Sequence, residues 1–310
     1  MKKLLFITYN KNKKIEKLTK KMMKSGHHHV SGKMHKLFLP MLVKNIEKYS
    51  IEITDEDPDI LIPVYSEERN FENIIPLIDY YKKQNPNLIV FNQPHIAKII
   101  ADKRETNIVF SKNGIKFPKL ITSSDGYNLI FVNDITGTKK SVSVINSKKV
   151  DKNKHNTEFI DTSVKYNNNK YFTCIRSHVV STPKKVSVVN RYVRIRPNTE
   201  TPSVHSGDTL KQNMDDIIYF NQTFLDYYKN QVDKISIDLC KLLGCGFWVV
   251  DILVKEDDIY VCEVGMKVTE SSYFLYQPIS KDVIQSYKNN DNKYLKLWIQ
   301  KTIDSFLQHL

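Results

Sequence analysis

The sequence predicts an α/β fold whose C-terminal part turns α+β. Two patterns carry this. Short apolar runs alternate with helical patterns over residues 1–100, which implies a mostly parallel sheet with a crevice at its strand C-terminal ends. From residue 171 onward, period-two strands are interrupted by one long amphipathic pattern. The boundaries read as 1–100, 101–170 and 171–310.

In the first segment, strands are predicted at Lys3–Thr8, Ile51–Ile53, Pro58–Val64 and Asn87–Phe91. Helical patterns run from Leu37 to Tyr49 and from Phe71 to Lys83, the second after an acidic turn at Ser66-Glu67-Glu68. The second segment opens with one helix, Ile96 to Asn113, stopped by Asn113-Gly114. Strands around Ile130 and Val144 follow, joined by the polar loop 133–141, and then a short strand at Thr157–Ile160. The third segment has strands at Tyr171–Val180 and Lys185–Ile195 and a helix from Met214 to Leu243. A hairpin at 247–264 and a core-packing helix from Asn292 to His309 complete it.

Composition narrows the function classes. The chain has 310 residues, 41% hydrophobic and 26% charged, which is globular and long enough for more than one packed unit. The apolar start Leu4-Leu5-Phe6-Ile7 is too short for a secretory signal or a membrane span. Four cysteines show no CxxC spacing, so a reduced, cytoplasmic protein is expected. Net charge is +13, yet no nucleic-acid-binding motif accompanies it, and neither nucleic acid nor membrane is expected as a partner. Self-association stays open. His27-His28-His29 with His35 falls in the loop after the first strand, and His205 in "VHSGD" (204–208) precedes the helix from 214. The first could bind a metal or line a crevice edge in that loop; His205 could orient a substrate or act as a base, or mark only a helix-entry turn.

The hairpin poses the chemical question. Asp251 sits inside the apolar run 247–254 and Glu263 inside 259–264. A loop centred on Asp257 sets the two carboxylates opposite one another, where they repel. A protonated carboxyl, a divalent cation between them, an exposed face, or a register shift each answers this. Facing anions also predict that neutralising either one leaves stability unchanged or raises it. Arginine supplies a second signal. The chain holds six arginines against a background of lysine, and four of them, Arg176, Arg191, Arg194 and Arg196, lie between 176 and 196. A planar fork for phosphate or carboxylate accounts for that choice, as does a basic exposed strand. Strand parity places Arg194 and Arg196 on one face and Arg191 on the other unless a bulge intervenes.

These stretches, in order, resemble the ATP-grasp superfamily. "NQPHIAKIIADKRET" (92–106) with "NGIKFP" (113–118) resembles the start of its central domain. "TEFID" (157–161) resembles its adenine linker, and "CIRSHVV" (174–180) with "VNRYVRIRP" (189–197) its arginine strands. "VVDILVKEDDIYVCEVG" (249–265) resembles its metal-binding hairpin. The resemblance implies ATP and Mg²⁺ as cofactors and a carboxylate–amine ligase acting on small-molecule or peptide substrates. Lys103, Glu158, Phe159 and Ile160 would bind nucleotide, Asp251 and Glu263 the metal, and Arg176, Arg191 and Arg194 the transferring phosphate. Two departures stand out. Val132 occupies the place of a second phosphate lysine, which Lys139 or Lys140 in the following loop would replace. Gly265 stands where the family has Asn, with Glu270 close by in sequence. A kinase acting on a hydroxyl and a nucleotide-holding scaffold are the alternatives.

Overall fold

The computed structural model describes residues 1–9, 15–18, 20, 37–64, 71–122, 129–133, 143–146, 150, 153–166, 169–197, 223–266 and 293–310. Expectations for the His27–His35 stretch, Ser66–Glu68, Lys139, Lys140, His205 and Glu270 fall outside them, as does the Arg196 side chain.

Strand β1 (Lys2–Tyr9) is the centre of the first sheet. On one edge it pairs in parallel with β4 (Ile60–Val64), which pairs in parallel with β5 (Ile89–Val90). Its other edge is shared by β3 (Ile51–Ile53), parallel, and β2 (Ile15–Leu18), antiparallel. β1 and β4 are apolar on both faces because both faces are covered. α1 (Phe38–Asn45), extended by a 3₁₀ turn at Ile46–Tyr49, covers one side. α2 (Ile75–Gln84), after a 3₁₀ turn at Glu72–Ile74, covers the other.

The helix expected from Ile96 to Asn113 is two helices, α3 (Pro94–Ala101) and α4 (Lys103–Ser111). Asp102 breaks it. Its backbone is extended (φ −107°, ψ 113°), and its carboxylate accepts from the backbone N–H groups of Arg104 (2.8 Å) and Glu105 (3.0 Å). An N-cap inside a continuous apolar pattern is a local preference that the 3.6-residue period does not reveal. It makes Lys103 the first residue of a helix. Beyond α4, Gly114 adopts φ +82°, as the Asn-Gly stop requires.

The central sheet has the order β7-β6-β8, all antiparallel: β6 (Leu129–Asn133), β7 (Ser143–Asn146) and β8 (His155–Glu158). The third sheet runs β11-β10-β12-β13, with β9 (Ser163–Tyr166) added beside the start of β10. β10 (Asn169–Ser181) and β11 (Val186–Pro197) form one long hairpin, and β12 (Gly246–Lys255) and β13 (Asp258–Met266) the other. α5 (Leu225–Leu243) covers the back of this sheet through Val232, Leu239 and Leu243 against Ile175, Val193, Trp248 and Val250. The described part of the expected 214–243 helix begins at 223, and its α-helical run at Leu225.

The C-terminal helix α6 (Lys293–Gln308) packs as core, but not within the third segment alone. Leu295, Trp298, Ile299, Ile303 and Phe306 join Phe38 and Leu42 of α1, Phe91, and Phe247 and Val180 of the third sheet. Asn92 fastens the same junction. It has φ +46°, and its backbone N–H donates to the Cys245 carbonyl (2.8 Å). Its side chain exchanges two 3.2 Å hydrogen bonds with the Phe247 backbone. Among the described residues no helix is long and apolar enough to cross a membrane.

Candidate functional site

The front face of the third sheet, opposite α5, carries the candidate residues. Strand pairing sets them in one row: Tyr192 on β11, Arg176 on β10, Asp251 on β12 and Glu263 on β13. The expected Asp251–Glu263 pairing is present, by a different route. The turn is only two residues, Glu256 (φ +53°) and Asp257, which by itself would set Asp251 against Cys262. A bulge between Asp251 and Ile252 absorbs Cys262 and restores Glu263.

The facing anions do not repel unopposed. Arg176 clasps Asp251 with a bidentate fork, Nε donating to Oδ1 and Nη2 to Oδ2, both at 2.6 Å. Arg194 adds Nη1 to Oδ2 at 3.2 Å. Asp251 is 3% exposed, so its charge is stabilised by these guanidiniums and not by water. The expectation that neutralising Asp251 leaves stability intact is therefore corrected: removing it strands the buried Arg194 and the half-buried Arg176 guanidinium. Glu263 differs. Its side chain is 46% exposed, and its Oε2 accepts from Lys103 Nζ at 3.4 Å; Lys103 is itself 12% exposed. The cap at Asp102 aims Lys103 across to β13.

Arg191 points away from this cluster. Its Nε and Nη2 donate to Asp233 of α5 at 2.8 and 2.7 Å on the back of the sheet. The bulge in the β10–β11 pairing lies between His178 and Val179, beyond Arg191, so parity from Arg194 holds. Its sequence-derived role at a transferring phosphate is not met by this position.

Beside the charged row lies an apolar patch of Phe172 and Cys174, packed by Phe159, Leu253 and Cys262. Phe159 meets Phe172 edge-on, ring centroids 6.4 Å apart. Ile160 is buried. Glu158 is tied back to Lys119: its Oε1 accepts from the Lys119 N–H (2.8 Å), and its own N–H donates to the Lys119 carbonyl (2.9 Å). Contact with the Cys174 thiol, and then burial, push the Cys262 thiol well above its ordinary pKa. Sequence reasoning missed this patch, although Phe172, Cys174 and Arg176 alternate along one strand face. On the other side of the row, His178 lies edge-on to Trp298 of α6 (4.7 Å) and stacks on Tyr192 (6.2 Å). Next to it across the sheet come Val249 and Gly265, where an added Cβ would meet nothing within 4 Å.

His155, at the start of β8, was also missed. Burial first, then the charges of Lys103 and Arg104, hold its imidazole down at about 4. Val132 is buried with Ile121 and Val150, a packing role.

A divalent ion meets an incomplete donor set here. Both oxygens of Asp251 lie in the Arg176 fork, and among the described residues no group of three or more His, Cys, Asp or Glu converges as a metal site. Glu263 is the carboxylate that solvent, and hence a hydrated ion, can reach. The described side chains, as placed, do not fit an ion shared between Asp251 and Glu263.

No family model and no curated protein matches the chain. Among solved structures, N5-carboxyaminoimidazole ribonucleotide synthetase from Thermotoga maritima is similar over 88% of this chain and 71% of its own, at 13% identity and a TM-score of 0.45. D-alanine–D-alanine ligase from Bacillus anthracis, complexed with ATP, is similar over 100% and 99%, at 13% identity and a TM-score of 0.43. A RimK domain ATP-grasp protein from Sphaerobacter thermophilus is similar over 89% and 97%, at 11% identity and a TM-score of 0.43.

Proposed function

We propose that the chain is an ATP-dependent carboxylate–amine ligase of ATP-grasp type, with 1–100 on the substrate side and 101–170 and 171–310 enclosing the nucleotide. One observation carries this reading. Lys103, Arg176 and Arg194 converge on a sheet face directly beside an apolar patch bounded by Phe159. A ligand that fits both is flat and apolar at one end and polyanionic at the other, which describes ATP. The purine would lie against Phe159, Phe172 and Leu253, and the phosphates would meet the three cations. A carboxylate oxygen of the substrate would attack the γ-phosphorus and ADP would leave. The amine would then attack the acyl carbon and expel phosphate. In this scheme Lys103 and the guanidiniums balance charge on the phosphates and hold them in line. Any accompanying Mg²⁺ would be held on the Glu263 side. Four free cysteines support a reducing, cytoplasmic setting.

Product analysis tests the reaction. ADP and free phosphate should appear only when a carboxylate and an amine are both supplied; a phosphorylated alcohol would indicate a kinase. The capture of Asp251 by arginine favours a second reading, a scaffold that holds nucleotide without turnover, and ATP binding with no ADP formed under any substrate pair would support it. Binding itself is tested by Lys103→Ala. Affinity for ATP should fall about tenfold or more while affinity for adenosine is unchanged, because only ATP carries the phosphates the lysine meets. Equal loss for both ligands would make the lysine structural.

A further inference from the structure

All four cysteines are free thiols, and two of them meet. Cys174 of β10 and Cys262 of β13 touch on the front of the third sheet, within the apolar patch of Phe159, Phe172 and Leu253. Their strands are not neighbours, since β12 runs between them. The bulge between Asp251 and Ile252 makes the contact. It adds Cys262 to β13 as an extra residue, and the thiol reaches Cys174 across β12. Strand spacing decides what the pair can do. Adjacent strands lie about 4.8 Å apart, so these two backbones are held about 10 Å apart. A disulfide needs Cα atoms within about 7 Å, so oxidation cannot join the sulfurs while the sheet is intact. A bridging ion can. With metal–sulfur bonds of about 2.3 Å, a linear S–metal–S unit spans about 4.6 Å, only slightly more than two thiols in contact. Coordination number then selects the ion. Zinc calls for four donors, and among the described residues no third His, Cys, Asp or Glu joins the sulfurs in a metal-holding group. A soft monovalent ion satisfied by two thiolates fits, which is the class of Cu(I) and Ag(I). The neighbouring charge agrees. Such an ion with two thiolates carries one net negative charge. Arg194 pairs across the strands with Cys174, is 9% exposed, and its Nε is buried with no hydrogen-bond partner among the described residues. A thiolate beside it supplies the acceptor that this N–H lacks.

We propose that Cys174 and Cys262 form a two-coordinate site for a soft monovalent metal ion of the Cu(I) class, with the Arg194 Nε–H donating to the Cys174 sulfur. Each thiol releases its proton to solvent as the ion binds, and the ion keeps its oxidation state. Cys174 gives up a weak 3.8 Å approach of its Sγ to the Ile175 carbonyl. Phe159, Phe172 and Leu253 surround the pair with apolar groups, which favours a low-coordinate soft ion over a hydrated one. The site needs neither ATP nor Mg²⁺, so its test is separate from that of the nucleotide reading.

Anaerobic competition between the full chain and the Cu(I) chelator bathocuproine disulfonate tests this, with one equivalent of Cu(I) supplied. Circular dichroism checks the fold of each variant. Cys174→Ser and Cys262→Ser should each weaken binding by about a hundredfold or more, because a single thiolate leaves the ion half-coordinated. Cys240→Ala with Cys245→Ala should match wild type within about twofold, because those thiols pack in the other cores. Arg194→Gln should weaken binding by about tenfold, the usual effect of removing a group that hydrogen-bonds a ligand atom. X-ray absorption at the copper edge should show two sulfur neighbours and no nitrogen. Unchanged affinity in both single cysteine variants overturns the site, as do nitrogen neighbours at the copper edge, which would put the ion on histidines. Unchanged affinity for Arg194→Gln overturns the role of the guanidinium. A Cys174–Cys262 disulfide formed by diamide in the folded protein overturns the spacing on which the choice of a metal rests. If Cys174→Ser does not fold, Cys262→Ser, at the partly buried bulge, still decides the site.

Discussion

The two faces of the third sheet use the same residue types for opposite ends. On the back, Ile175, Val193, Trp248 and Val250 pack against α5, and Arg191 closes a bidentate pair with Asp233. That pair is self-contained, with side chains 21% and 25% exposed. On the front, three residues along β11, Arg194 is buried, shares its carboxylate with Arg176, and keeps an N–H without a partner among the described residues. One strand thus carries a finished ion pair and an unfinished one, and pleat parity alone decides which arginine is which. An arginine-rich stretch marks a strand; only the incompletely paired side of it marks a site.

The sharpest way to break this contrast is to remove the front fork. Arg176→Gln leaves the buried Asp251 without its bidentate fork, with Arg194 at 3.2 Å as the remaining guanidinium among the described side chains. Breaking a buried pair from one side costs about 3–5 kcal/mol. Urea denaturation should show a loss of that order, and a loss below about 1 kcal/mol would mean that the row is held by its strands alone.

The positive charge of the front also reaches the central sheet. Lys103 and Arg104 add to burial in keeping the His155 imidazole at about 4, against 6.5 for the unfolded chain. Between those values the unfolded state binds a proton that the folded state refuses. Stability from this group is therefore complete above pH 6.5 and is lost as pH falls toward 4, by at most about 3 kcal/mol. His155→Gln should flatten the pH dependence of the melting temperature over that window. An unchanged acid slope would place the sensitivity elsewhere.

Much of the strand layout is legible in sequence because period-two patterns and helical alternation survive folding. The Asp251–Glu263 pairing was legible too. That pairing, however, follows from two deviations that cancel, a turn one residue shorter and a bulge at Cys262. Neither leaves a mark in the hydrophobic pattern. The break at Asp102 was visible only as an acceptor side chain before Lys-Arg-Glu, and it was overridden by the apolar period on both sides. β2 was missed because Ile15-Glu16-Lys17-Leu18 is a short edge strand with two charges, which reads as loop. The arginine clasp could not be read at all. It joins residues 75 apart through the register of β10 on β12, and that register is set by a core that the local sequence does not encode.

The smallest effect is expected on the back face, and it isolates the comparison best. Arg191→Gln removes a cation whose partner Asp233 is a quarter exposed and can be rehydrated. Water screens such a pair, so the cost in stability should be at most about 1 kcal/mol. No atom of the front row depends on it, because Arg191 and Arg194 leave β11 on opposite sides and Asp233 belongs to α5. Affinity for ATP should therefore match wild type within about twofold, against a loss of about tenfold expected for Arg194→Gln three residues away. Calorimetric titration with ATP reads both variants. Equal losses for the two would mean that net positive charge, and not the buried geometry of the front face, attracts the anion; raising the salt from about 50 to 200 mM would then abolish binding in both.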